Sequence, residues 1–253
     1  MKDLLQDIIA HKKVEIERHK QAVNLHTLLG LGSDRMERIP YSMRQALLAS
    51  SSGIIAEFKR KSPSKGWLHP KASIATAIPA YQQGGAAACS ILTEGKFFAG
   101  TIGDLQKARR LTNLPLLQTD IFIDTYQLFQ ARVMGADAVL LIAAALTRPE
   151  CHILAETAHS LQLEVVLEVQ NEKELDYIDD AIDMVGINYL CQGPYPDNNE
   201  NSLRLMELLQ EKSSLLIAVN GVNDTETMAY LRQNGFKGFL TDDFLTISDA
   251  TIF

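Results

Sequence analysis

The feature that most restricts the fold is a recurrence. Eight short apolar runs end in polar residues: "GIIAEFKR", "ACSILTE", "LPLLQTD", "DAVLLIAAAL", "LEVVLEVQ", "MVGINY", "SLLIAVNG" and "KGFLTDD". They start near residues 53, 88, 115, 138, 164, 184, 215 and 238, a repeat of about 20 to 35 residues. Between them lie helical patterns such as "IATAIPAYQQGG", "TYQLFQARVMGA", "CHILAETAHSLQ" and "TETMAYLRQNGF". Several close on Gly-Ala or Gly-Phe, the expected helix stop. Near-continuously apolar strands alternating with helices require a parallel sheet buried on both faces. Eight such units closing on themselves make a single (β/α)8 barrel. The alternative is a doubly wound open sheet, but no G-x-G-x-x-G turn follows the first strand to support it.

The expected organisation is one barrel domain over 1–253, with a helical extension over 1–52 and the barrel proper over 53–253. In the extension, "LLQDIIAHKKVEIERHKQAV" reads as an amphipathic helix with Leu4, Ile8, Ile9, Val14 and Ile16 on one face. A looser stretch follows through "GLGSDR" and "RIPYSMRQALL".

A formal charge of −7 argues against a nucleic-acid or anionic-membrane partner, although "EFKRKSPSKG" is locally basic. No run of eighteen apolar residues occurs and the N-terminus is not signal-like, so a soluble, cytoplasmic chain is expected. Cys89, Cys151 and Cys191 share no motif spacing, which points to reduced thiols and no metal centre. No cofactor motif stands out. Without a coiled-coil heptad the chain is expected to be a monomer.

In a (β/α)8 barrel the chemistry sits where strands end. The residues there are Glu57 and Lys59; Thr93 and Glu94; Gln118, Thr119 and Asp120; Glu168; Asn188; Val219 and Asn220; and Thr241, Asp242 and Asp243.

The first of these endings, "IIAEFKRKSPSKG", resembles the Glu-x-Lys-x-x-Ser-Pro-Ser segment of the indole-3-glycerol-phosphate synthase family. The likeness continues through "GGAAACSILTEGKFFAG", "ARVMGADAVLLIAAAL", "LEVVLEVQNEKEL", "VGIN" and "YSMRQALL", and so covers essentially the whole chain. It implies closure of a pyrrole ring on an anthranilate-derived ribulose phosphate, with loss of carbon dioxide and water. That chemistry needs a general acid for the departing ketone oxygen and a general base for the later proton. By resemblance, Glu57, Lys59 and Glu168 are the catalytic set, with Glu168 as base. Ser62, Phe97, Asn188 and Gly221 are the substrate-binding set, and the ligand is a small aromatic molecule. Other roles remain open for these residues: Glu57 and Lys59 as a mere ion pair, Glu168 as the partner of a lysine, and Phe97 as packing.

The resemblance fails at particular rim positions. Thr119 stands where the family keeps its general-acid lysine. Leu190 replaces an arginine after the sixth strand. Ala218, Val219 and Asn220 replace the seventh-strand Ser-Glu-Ser, and Asp242 with Asp243 replaces the glycine-containing phosphate nest of the eighth. A hydroxyl is far too weak an acid to stand in for an ammonium, and two carboxylates repel a phosphate. An alternative role for Asp242 and Asp243 is a solvated helix cap. The rest of the barrel is family-like, so the mismatches cluster at the rim. Such clustering indicates a pocket rewritten for another ligand, by divergence or engineering. Three readings follow. The first is a synthase with native activity lost or weak. The second is a repurposed barrel acting on a non-phosphorylated aromatic molecule through Glu168, Asp243 and a Lys59 amine of depressed pKa. The third is a non-catalytic binding barrel.

Overall fold

The computed structural model describes residues 2–188, 198–209, 214–222 and 224–242. Four helices come first: α1 (Lys2–Ala22), α2 (Leu25–Leu31), α3 (Ser33–Met36) and α4 (Met43–Ala49). Eight strands then form a closed ring: β1 (Ile54–Phe58), β2 (Ala88–Leu92), β3 (Leu116–Thr119), β4 (Ala138–Ile142), β5 (Glu164–Val169), β6 (Met184–Asn188), β7 (Leu215–Val219) and β8 (Gly238–Thr241). Every neighbouring pair is parallel, and β8 closes on β1 through the register Ile54 to Phe239. The connecting helices are α5 (Ile74–Gln83), α6 (Ile102–Arg109), α7 (Thr125–Met134), α8 (Arg148–Ser160), α9 (Asn198–Leu209) and α10 (Thr225–Gln233). Between β5 and β6 the described connection is a 3-10 turn, Glu172–Tyr177. This is the (β/α)8 barrel that the repeat predicted, with strand starts within about a residue of those expected. No helix among the described residues is long and apolar enough to cross a membrane.

Strand alternation divides the core in two. Ile55, Leu117, Leu140, Val166, Met184, Ile217 and Leu240 point into the barrel and pack on one another. Phe58, Ile91, Leu116, Leu141, Leu167, Ile187 and Phe239 point outward into the layer under the helices. Met43 and Leu47 of α4 belong to the inner cluster. Ser42 Oγ donates to Glu164, at the start of β5, at 2.5 Å, so α4 plugs the end where strands begin. The opposite end is left for the site.

The extension runs from that end to the plugged one. Ile8 and Ile9 of α1 pack with Ile121, Phe97 and Phe98 just beyond β2 and β3. Leu28 packs against Tyr126 and Val133 of α7. The fully buried Arg132 donates to the carbonyls of Arg35, Met36 and Arg38. The face expected for α1 needs correction: Leu4 and Val14 are exposed, and the buried stripe is Ile8, Ile9, Lys12 and Ile16. Val14 lies six residues from Ile8, well off its stripe, whereas Lys12 and Ile16 follow at successive four-residue steps.

Candidate active site

The strand ends place a hydrogen-bonded chain across four strands. Glu57, on β1, is buried. Lys59, two residues on, donates from Nζ to Glu57 Oε2 at 2.6 Å and to Asp242 Oδ2 at 3.2 Å. Glu57 Oε1 also accepts from Ser90 Oγ of β2 at 3.3 Å. Ser90 Oγ in turn lies 2.8 Å from Thr119 Oγ1 of β3. The order around the ring is therefore Asp242, Lys59, Glu57, Ser90, Thr119. Ser90 was not singled out from the sequence. The available clue was the parallel pairing of β1 with β2, which sets Ser90 opposite Glu57.

Across the ring Glu168 of β5 is buried and accepts from Asn188 Nδ2 of β6 at 2.7 Å and from Gln170 Nε2 at 3.4 Å. Burial raises its pKa above the ordinary carboxylate value, and the two amide donors only partly offset that. Among the described residues its hydrogen-bond partners are the amides of Asn188 and Gln170. A carboxylate whose pKa is raised by burial is a stronger base than an exposed one, and so is suited to accepting a proton from a bound molecule.

The Lys59 pKa is raised as well, but here the charged form is the one favoured. Burial disfavours its ammonium, but the carboxylates of Glu57 and Asp242 outweigh burial and raise its pKa. The two carboxylates therefore favour the Lys59 ammonium, against the depressed pKa that an amine nucleophile requires. Asp242 is an ion-pair partner of Lys59, and the residues that follow it lie outside the described ones.

The remaining predicted residues are distributed unevenly. Val219 faces inward, and a Cβ on Gly186 would come within 2.8 Å of its Cγ2, so its bulk fills space that Gly186 leaves. Asn220 and Gly221 follow with φ of 63° and 75°, a turn at which β7 leaves the barrel. Ser62 is not in the chain of contacts: its hydroxyl meets Ser64 Oγ at 3.0 Å within a short hairpin, Lys61–Ser62 against Gly66–Trp67. Phe97 lies in the cluster beneath α1, with the Lys96 ammonium 5.0 Å from its ring centre, so packing is the role its contacts describe. Leu190 and Asp243 lie outside the described residues. The basic run after β1 is also used internally, since Arg60 clamps Asp104 at 2.7 and 3.0 Å.

A cavity of about 520 Å³ touches Lys59 and Asp242 and is walled by Phe58, Leu68, Pro70, Ala77 and Tyr81. It lies against α5, and neither Glu57, Thr119, Glu168 nor Asn188 lines it. Of the polar chain at the strand ends, this cavity meets only the Lys59 and Asp242 end. Three possible metal ligands, His11, Glu15 and Glu94, converge within 4.8 Å of one another. Glu94, however, accepts from the backbone N–H of Lys96, Phe97 and Phe98, and Glu15 holds the Lys12 ammonium at 2.9 Å.

A closed parallel barrel with a lysine between two carboxylates and a buried glutamate at its strand ends is a (β/α)8 barrel whose rim can support acid–base chemistry. The family profile of indole-3-glycerol phosphate synthase matches residues 5–251. The chain belongs to the indole-3-glycerol phosphate synthase family. It is 47% identical to an indole-3-glycerol phosphate synthase of Bacteroides thetaiotaomicron, over 95% of this chain and 91% of that one. It is 34% identical to a Prochlorococcus marinus protein of the same name, over 94% of this chain and 83% of that one. Among solved structures, a tryptophan synthase alpha-subunit from Pyrococcus furiosus shares the fold, with a TM-score of 0.60 at 15% identity over 78% of this chain and 89% of that one.

Proposed function

We propose that this chain carries out the family's lyase reaction, ring closure and decarboxylation of a carboxyphenylamino-deoxyribulose phosphate, far more slowly than its relatives. The observation that carries this reading is Thr119. It ends β3 with its hydroxyl on Ser90, where the resemblance expects the general-acid lysine. Lys59 is then the proton donor for the departing ketone oxygen, with Glu57 2.6 Å away to hold it in place. Glu168 takes the later proton, oriented by Asn188. A positioned acid or base contributes about 10²–10⁴-fold to rate, and the loss of one should appear at that scale.

The test is indole-ring formation followed by fluorescence, with the Bacteroides relative as reference. Turnover about 10²–10⁴-fold below the reference is expected, together with a gain of at least about tenfold in T119K. Parity with the reference, or no gain in a well-folded T119K, would overturn the reading. A second reading, a barrel turned to an uncharged aromatic ligand, is favoured by a single observation, the contact of Asp242 with Lys59.

A further inference from the structure

Among the described residues, Glu168 takes its side-chain hydrogen bonds on one oxygen. Asn188 Nδ2 donates to Oε1 at 2.7 Å, and Gln170 Nε2 donates to the same atom at 3.4 Å. A carboxylate has two oxygens, so Oε2 is the one left to accept a proton from a bound molecule. Asn188 comes from β6, 20 residues on, through the parallel register that sets Gly186 opposite Glu168. Gln170 is local: it lies two residues beyond Glu168, and a period of two turns both side chains to one face.

Gln170 is itself fastened. Glu174 Oε2 accepts its backbone N–H at 2.7 Å, and Glu174 Oε1 accepts from Asn171 Nδ2 at 2.6 Å. Asn171 Oδ1 in turn accepts from the backbone N–H of Lys173 at 3.1 Å, so the turn Glu172–Tyr177 opens on a closed set of contacts. These contacts fix where the Gln170 backbone stands beside Glu168. The charged groups that act on Glu168, Glu174 and Glu57, are both carboxyls and both raise its pKa. It is therefore the two amides that favour its ionised form.

We propose that Gln170 is a positioning residue for the base: with Asn188 it fixes Glu168 by Oε1 and so presents Oε2 to the substrate. The proposal rests on reading Glu168 as the base of the lyase reaction above.

The experiment compares wild type, Q170M, Q170E and D176N by two readouts. One is the pH dependence of kcat and KM for indole-ring formation. The other is the pKa of Glu168 from carbon-13 NMR of labelled glutamate carboxyls, its signal identified by its loss in E168Q, which needs no turnover. Q170M removes the amide donor without adding charge. It should raise the Glu168 pKa, and with it the acid limb of kcat, by about half to one pH unit, the scale of one hydrogen bond to a charged group. Plateau kcat should fall about tenfold while KM stays within about twofold. Q170E keeps the shape but sets a carboxylate against Glu168, and should raise its pKa further than Q170M. Asp176 is exposed in the same turn, and D176N should leave both readouts unchanged. An unmoved Glu168 pKa in Q170M and Q170E would overturn the proposal, as would a loss confined to KM or an equal shift in D176N. If T119K gains turnover while Q170M moves neither readout, the lyase reading stands and the positioning role falls. If the Glu168 pKa rises in Q170M while T119K gains nothing, the contact stands and the reaction assigned to Glu168 falls.

Discussion

Thr119 and Ser90 sit side by side, two hydroxyls 2.8 Å apart on adjacent strands, and together they complete a polar chain that begins at Asp242. Neither hydroxyl can donate a proton to a developing alkoxide as an ammonium does, so in the proposed reaction acid–base work falls on Lys59 and Glu168. The pH dependence of Glu168 can be worked out from its burial. Its pKa is raised in the folded chain, so its base form appears only above the ordinary carboxylate range of about 4.3, and turnover should rise with pH through that raised value. Stability has the opposite sign. Between the unfolded and folded pKa values the native state binds more protons than the unfolded one, and stability falls as pH increases. E168Q should therefore lose turnover and flatten that pH–stability slope, as read by urea melts at several pH values. An unchanged slope would remove the buried-acid account. The Glu-x-Lys pair was legible in the sequence because a period of two places both residues on one face. Ser90 was not, since it lies in an apolar run and gains meaning only opposite Glu57.

Elements are joined by a second polar centre, at the plugged end of the barrel. Asp137, immediately before β4, is fully buried. Its carboxylate accepts from Arg38 Nη1 and Arg109 Nη1, both at 2.7 Å, and from the backbone N–H of Tyr41 at 2.9 Å and Leu116 at 2.8 Å. One side chain thus ties the extension, α6, β3 and β4 together. Removing its charge strands two guanidinium groups, and D137N should cost about 3–5 kcal/mol of unfolding free energy in urea. A loss below about 1 kcal/mol would show that solvent satisfies both arginines. The strands and most of the helices were readable from periodicity. Asp137 was not, because "GADAVLL" gives no sign that its aspartate faces two arginines from 28 and 99 residues away.

At the scale of the whole molecule the extension is a strap. It is pinned at the site end by Lys12, along the side by Tyr126 Oη donating to the Val23 carbonyl at 2.7 Å, and at the plugged end by Arg38 and Arg132. Lys12 is almost wholly buried, and its ammonium lies 2.8 Å from Asp120 Oδ1, in the residue next to Thr119. Thr93 Oγ1 donates to the other oxygen of Asp120 at 2.5 Å. K12M keeps the apolar stem but leaves the Asp120 charge buried with no cation. It should cost about 3 kcal/mol and speed amide exchange in α1 while leaving α8 as it was. Equal protection of α1 in both proteins would mean that Ile8, Ile9 and Ile16 hold the helix without Lys12.

Local pattern was enough for the barrel itself. An apolar run of five residues must be buried on both faces, and eight of them separated by helices leave few other arrangements. The same pattern placed Thr119 at a strand end, and the family resemblance, not the periodicity, marked it as standing where a lysine is expected. Long-range contacts decided the rest. That Lys12 is buried, that Asp242 pairs with Lys59, and that this pairing favours the Lys59 ammonium all depend on which distant charge lies within about 3 Å. Electrostatic energy depends on distance in space, and ring closure sets that distance between residues far apart in the chain.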